Sequence, residues 1–263
     1  MTIVVLHGLE GSSDSNYARG IAQKGLARGM NVIRMNQRNC GGTEELAPTL
    51  YHSGLSSDVA AVTRMLVDRD RISDLALVGF SMGGNIMLKL AGEWGSGAPK
   101  ELRAVAAVCP AMDLAASADA LHQPANRLYE KYFLRKLRQR LRAKARLFPS
   151  HFDVARLRGI NSLRDFDDKV TAYYCGFTGA VDYYARAAAA NVIDRITTPT
   201  LILHAANDPF IRITPATRAK VLANPHITFI ETADGGHCSF IAPRDGYDGH
   251  WAERQVLDFI ARF

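Results

Sequence analysis

The sequence predicts an α/β fold. A mainly parallel sheet of about six strands is covered by helices on both faces, and a helical segment is inserted between the fourth and fifth strands. Three observations lead there. Short apolar runs alternate with helical patterns along most of the 263 residues, as the crossovers of a parallel sheet require. The alternation lapses between about 114 and 195, where helical patterns recur without a convincing strand. A composition of 48% apolar and 22% charged residues is that of an ordinary globular chain, long enough for one α/β domain with an insertion. The expected division is therefore a core from 1–113 and 196–263, with an insertion over 114–195.

The elements follow in order. Strands are expected near 3–6, 31–35, 75–79, 104–109, 200–205 and 227–231. Helices are expected near 16–28, 55–68, 83–93, 215–223 and 249–262, with Pro215 suited to a first helical turn. Right-handed crossovers place the first strand beside the second and the third. No internal repeat or low-complexity linker interrupts this order.

The chemistry-bearing motif is Gly79-Phe80-Ser81-Met82-Gly83, a G-x-S-x-G pentapeptide between an apolar run and a helical pattern. In that context the glycines allow a sharp strand-to-helix turn, and the serine sits at the positive end of a helix as a nucleophile. Such a serine needs a base, an acid that orients the base and an anion hole. Asp208 lies in N-D-P-F, just past the fifth strand, where proline ends the strand. His237 ends a Gly-Gly loop after the sixth strand. The order Ser81, Asp208, His237 is that of the α/β-hydrolases. His7-Gly8-Leu9-Glu10-Gly11 follows the first strand, and the backbone N–H of Leu9 could join that of Met82 to hold an oxyanion.

Rival readings stand beside these. Asp113, after the fourth strand, competes with Asp208 for the acid position. Asp234 lies near His237 but reads as a turn residue. His7 reads as a buttress of the oxyanion turn, and His204, within an apolar strand, as a satisfied core residue.

With these motifs in place the chain resembles the YheT-like (ABHD-type) branch of the α/β-hydrolase family. The matching stretches are H-G-L-E-G-S-S at 7–13, Y-H-S-G at 51–54, G-F-S-M-G-G-N at 79–85 and L-Y-E-K-Y-F-L-R-K-L at 128–137. F-D-D at 166–168, D-Y-Y at 182–184, P-T-L-I-L-H-A at 199–205, N-D-P-F at 207–210 and G-G-H at 235–237 complete the set. The resemblance implies an α/β-hydrolase fold and a serine hydrolase of the esterase or lipase kind, with acyl transfer to alcohols in some relatives. Members of that family carry a longer N-terminal part with further strands. This chain opens almost directly on the oxyanion strand, so the usual N-terminal strands are expected to be absent.

The inserted segment reads as a cap over the catalytic face. Tyr129, Tyr132, Phe133, Leu137 and Leu141 recur at helical spacing and are expected on its packed underside, some of them lining an acyl pocket. Between Arg127 and Arg146 there are nine Lys/Arg and one acid, 9 − 1 = +8, against +6 for the whole chain. A solvated cap face, a weak contact with anionic membrane and nucleic-acid binding compete to explain this run. No recognised nucleic-acid motif supports the last.

No cofactor or metal is expected. Arg38–Thr43 lacks the G-K-[ST] ending of a phosphate loop, no G-x-G-x-x-G follows a strand, and no H-E-x-x-H occurs. Cys40, Cys109, Cys175 and Cys238 show no metal spacing and read as reduced thiols of a cytoplasmic protein. The N-terminus lacks the basic and apolar runs of a signal peptide or membrane span. The expected activity is hydrolysis of carboxylic esters, of short to medium acyl chain, through an acyl-enzyme. Acyl transfer to an alcohol and a non-catalytic binding protein are the alternatives.

Overall fold

The computed structural model describes residues 1–263. Six strands, β1 (Thr2–Leu6), β2 (Asn31–Met35), β3 (Leu75–Phe80), β4 (Leu102–Val108), β5 (Thr200–Ala205) and β6 (Ile227–Thr232), form one sheet in the order β2-β1-β3-β4-β5-β6. All five pairings are parallel, and β1 lies between β2 and β3 as right-handed crossovers require.

Side chains alternate between the two faces of each strand, so β1 feeds two cores at once. Ile3 and Val5 pack with Ile21 of α1 (Asn16–Ala27) and with Val256, Leu257 and Ile260 at the C-terminal end of the chain. Val4 and Leu6 pack with Val59 and Leu66 of α2 (Ser56–Asp68) and with Ile86 and Leu88 of α3 (Met82–Trp94). Because both faces are covered, β1, β3 and β5 are buried throughout, which is why they read as continuous apolar runs.

The insertion between β4 and β5 is helical. It runs through α4 (Leu114–Leu121), the 21-residue α5 (Arg127–Leu147) and α6 (Leu163–Phe166). From α6 a π-helical stretch, Asp167–Ala172, leads into α7 (Tyr173–Cys175), and α8 (Ala180–Ala187) follows. After β5 come α9 (Pro215–Ala223), with Pro215 in its first turn, and α10 (Trp251–Ile260).

Helix α5 buries Glu130, Leu134, Leu137, Leu141 and Lys144. At about 100° per residue these five positions share one stripe, while Tyr132 falls roughly 160° away and Tyr129 on the flank. Tyr129 and Tyr132 are accordingly about half exposed, 48% and 54%. The expectation that they join Phe133, Leu137 and Leu141 underneath is therefore corrected. Burial of each leucine in the stripe contributes on the order of 2 kcal/mol. The leucines meet Phe152, Ile160, Phe166 and Val170 in a core of the insertion's own, which touches the sheet domain at Leu50 and Leu9.

Candidate active site

Ser81 sits between β3 and α3 with φ 54° and ψ −119°, a left-handed backbone that few non-glycine residues adopt. The turn is possible because its neighbours lack side chains. A Cβ on Gly79 would lie 2.3 Å from the Gly83 carbonyl oxygen, and one on Gly83 would lie 2.5 Å from those of Leu6 and His7. This is the sharp elbow that lifts a serine hydroxyl above a sheet.

Asp208 follows β5 and is buried. Its Oδ1 accepts the N–H groups of Phe210 (3.1 Å) and Ile211 (2.9 Å), and its Oδ2 lies 2.8 Å from His237 Nδ1. His237 Nε2 lies 3.0 Å from Ser81 Oγ. Burial alone would raise the Asp208 carboxyl, but His237 and the two N–H donors hold it below the ordinary carboxylate range. The His237 loop is pinned by Asn207, whose Nδ2 donates to Asp234 Oδ1 (2.9 Å) and whose Oδ1 accepts the Gly236 N–H (2.8 Å). Phe210 packs on the imidazole with ring centroids 4.4 Å apart. Asn207, Asp208 and Phe210 of N-D-P-F thus bind the loop, the imidazole nitrogen and the imidazole face.

The turn after β1 is fixed residue by residue. The buried His7 Nδ1 lies 2.8 Å from the Gly8 carbonyl oxygen, and its Nε2 accepts the Gln37 N–H at 3.1 Å. Burial lowers its pKa, so it is a neutral buttress. Gly8 N–H donates to Tyr17 Oη (2.9 Å) and Glu10 N–H to Tyr51 Oη (3.0 Å). The Leu9 N–H between them donates to no protein acceptor. Met82 opens α3, and a first-turn N–H has no intrahelical acceptor. Leu9, Ser81 and Met82 line one cavity.

Sequence reasoning missed what holds this turn. The Glu10 side chain is only 4% exposed. It accepts Tyr51 Oη at 2.7 Å, Arg140 Nε at 2.7 Å and Arg140 Nη2 at 3.1 Å. Lys144, one turn further along α5, donates to Asn39 Oδ1 (2.9 Å) and the Glu44 carbonyl (2.8 Å). Two of the nine bases in the run therefore face inward, Arg140 paired with the Glu10 carboxylate and Lys144 held by neutral oxygens. The unevenness of α5, with buried-stripe positions occupied by charge, was the available signal.

The remaining polar residues have definite places. Asp113 accepts from Thr214 N (2.9 Å), Thr214 Oγ1 (3.2 Å) and Thr217 Oγ1 (2.8 Å), tying β4 to α9 away from His237. His204 is buried, yet its Nδ1 has no partner, which corrects the reading of a satisfied core residue. In Y-H-S-G, Tyr51 serves Glu10, while Ser53 shares Asn85 Nδ2 (2.9 Å) and accepts no part in the triad. In F-D-D, buried Asp167 accepts Tyr184 Oη and Thr171 Oγ1, each at 2.8 Å.

Two cavities meet at Ser81. One, about 110 Å³, is largely apolar and runs beneath the insertion past Met82, Phe133, Leu137, Leu141 and Phe210, with Asp167 and Tyr184 in its wall. The other is a more polar groove that also touches His237, with Arg19, Gln23 and Ser239 along it.

An elbow serine, an imidazole in contact with it and a buried carboxylate on a parallel sheet define an α/β-hydrolase. The family profile described as alpha/beta hydrolase fold matches residues 2–242, and the chain belongs to that family. Within it, the chain is similar to YheT of Escherichia coli (strain K12), a provisionally assigned esterase, at 32% identity over 99% of this chain and 76% of YheT. It is 26% identical to the medium-chain fatty acid ethyl ester synthase/esterase 2 of Saccharomyces cerevisiae, over 99% of this chain and 62% of that enzyme. The chain spans 57% to 58% of other curated relatives it matches. Among solved structures, Pyrococcus furiosus esterase Pf2001 superposes with a TM-score of 0.62 at 17% identity, over 100% of this chain and 83% of that one, a likeness of fold. The chain is thus esterase- and lipase-like. No helix is long and apolar enough to cross a membrane.

Proposed function

We propose that the protein is a serine hydrolase of carboxylic esters, with Ser81 as nucleophile, His237 as general base and Asp208 as its orienting acid. The observation that carries this reading is the unbroken chain of contacts, 2.8 Å from Asp208 to His237 and 3.0 Å from His237 to Ser81. His237 Nε2 takes the Ser81 proton as Oγ attacks the ester carbonyl. The N–H groups of Leu9 and Met82 hold the developing oxyanion. His237 returns the proton to the leaving alcohol, and water then resolves the acyl-enzyme. Asp208, held ionised, keeps the imidazole in the tautomer that leaves Nε2 free to accept.

Residues 114–195 act in this reading as a cap, because α5 roofs the apolar cavity. An engineered cavity of about 150 Å³ takes benzene. The 110 Å³ here suits an acyl chain of short to medium length. Hydrolysis of p-nitrophenyl esters graded by chain length should rise and then fall. Fluorophosphonate labelling should be present in the native protein and lost in a folded Ser81→Ala variant. A folded Ser81→Ala protein that still labels overturns the assignment, and a steady rise into long chains overturns the closed pocket.

Acyl transfer is the second reading, supported by the likeness to a yeast ethyl ester synthase/esterase. Product analysis with an ester and excess ethanol separates the two. The exposed bases of α5 are the part of the cap that could meet anionic membrane.

A further inference from the structure

The four cysteines divide into two kinds. Burial pushes the thiols of Cys40 and Cys175 up to about 12, so neither supplies thiolate near neutral pH. Cys109 and Cys238 instead meet directly behind the triad. Cys109 is the first residue after β4, and Cys238 follows His237 in the chain. Each thiol crosses to the other's segment. Cys109 Sγ donates to the Gly236 carbonyl and Cys238 Sγ to the Val108 carbonyl, both at 3.6 Å. The two sulfurs and a ring nitrogen of His237 lie within 4.8 Å of one another.

Two further observations mark the pair as unusual. Cys109 and Cys238 both hold left-handed backbone, φ +43° and +63°, a conformation that persists in a non-glycine residue only where the surroundings enforce it. The neighbouring Cys238 thiol brings the Cys109 thiol down to about 6, with burial acting against it and His204 with it. Cys238 is pushed up in return, chiefly by its neighbour Cys109 and by burial. Cys238 also lines the polar groove that opens on Ser81 and His237, which gives a small solute a route to it.

We propose that Cys109 and Cys238 form a peroxide-sensitive pair whose disulfide withdraws His237 from Ser81. Transfer of the Cys238 proton to the Cys109 thiolate leaves Cys238, the sulfur beside the groove, as the thiolate. Its sulfur attacks hydrogen peroxide, the O–O bond breaks, hydroxide leaves, and Cys238 becomes a sulfenic acid. Cys109 gives its proton to that hydroxide, forming water, and attacks the Cys238 sulfur; the S–O bond breaks and the oxygen departs as hydroxide, which takes a proton from solvent to become the second water. One thiol, one thiolate, one solvent proton and one peroxide give one disulfide and two waters, with two electrons passing from sulfur to peroxide. An S–S bond of about 2.05 Å draws the Cys238 backbone toward β4. The neighbouring imidazole moves with it, and a displacement of about 1 Å lowers a rate by about 100-fold.

The loss of rate rests on the Ser81–His237–Asp208 reading, whereas the cross-link does not, and the experiment separates them. Native protein is treated with hydrogen peroxide at neutral pH and read by intact mass, by peptide mapping and by p-nitrophenyl ester hydrolysis. The expected result is a mass loss of about 2 Da, a peptide joining Cys109 to Cys238, and a rate that falls about 100-fold and returns with dithiothreitol. Cys238→Ser, compared with its own starting rate, should show neither the cross-link nor the reversible loss. Added oxygen mass without a cross-link overturns the proposal, as does a cross-linked protein that keeps its rate. Absence of hydrolysis before treatment overturns the site reading alone, and the mass measurement still decides whether the thiols pair.

Discussion

Arg140→Met tests whether α5 shapes the turn after β1 that carries Leu9, the proposed oxyanion donor. Methionine keeps most of the length of arginine but removes the fork that grips both oxygens of Glu10. Glu10 is then left with Tyr51 as its partner at 4% side-chain exposure. Removing one member of a buried pair strands the other charge, which costs about 3–5 kcal/mol. At roughly 2 °C per kcal/mol for a chain of this size, the midpoint of thermal unfolding should fall by about 6–10 °C. The carboxylate can relieve its strain by turning toward water, and that movement carries the Leu9 N–H with it. Loss of one oxyanion donor lowers kcat by about 10²–10³. KM should change little, because the ground-state ester does not depend on that donor. Adding Glu10→Gln to Arg140→Met removes the stranded charge and should restore most of the stability, so the double-mutant cycle reads a coupling of a few kcal/mol. Thermal unfolding and steady-state kinetics on one soluble ester provide all four corners. An Arg140→Met protein with native kcat and native midpoint refutes the argument. So does a double variant no more stable than the single.

Three further outcomes are expected. Asp208→Asn should lower kcat by about 10⁴-fold through loss of the correct tautomer, whereas Asp113→Asn should chiefly lower stability, because Asp113 accepts three donors near α9; reversed effects would move the acid to the end of β4. Burial pushes the Asp167 carboxyl up to about 6 despite its bonds from Tyr184 and Thr171. The folded form therefore holds that proton more tightly than the unfolded chain, and the stabilising contribution is complete below about 4 and lost as pH rises through about 6. Asp167→Asn should flatten unfolding free energy against pH across that window, by on the order of 2–3 kcal/mol, and an unchanged profile would contradict it. If the exposed face of α5 meets anionic lipid, vesicles containing phosphatidylserine should bind the protein at low salt and release it as salt rises. Replacing the exposed Lys131, Arg135 and Arg142 by glutamine should weaken binding by about 1 kcal/mol each; native protein that binds no such vesicle leaves a solvated face.

The sequence by itself determined the sheet and the order of the candidate triad. Parallel strands buried on both faces must be short apolar runs, and the helices between them must be amphipathic, so the periodicity locates both. The Gly79–Gly83 turn is equally local, because only residues without side chains fit an elbow that brings α3 so close to β1. The sequence favoured Asp208 over Asp113 as the acid, and the tertiary structure supplied the reason. Asp113 and Asp208 both follow strands, and only the packing of α9 claims the first and leaves the second for the imidazole. It also decided the fate of the basic run. The helical pattern can mark a charge on the buried stripe but cannot name its partner, and Arg140 and Lys144 turn inward because Glu10, Asn39 and Glu44, about a hundred residues earlier, wait there. The meeting of Cys109 with Cys238 was hidden for the same reason: their spacing carries no motif, and the contact exists only where the end of β4 faces the loop after β6.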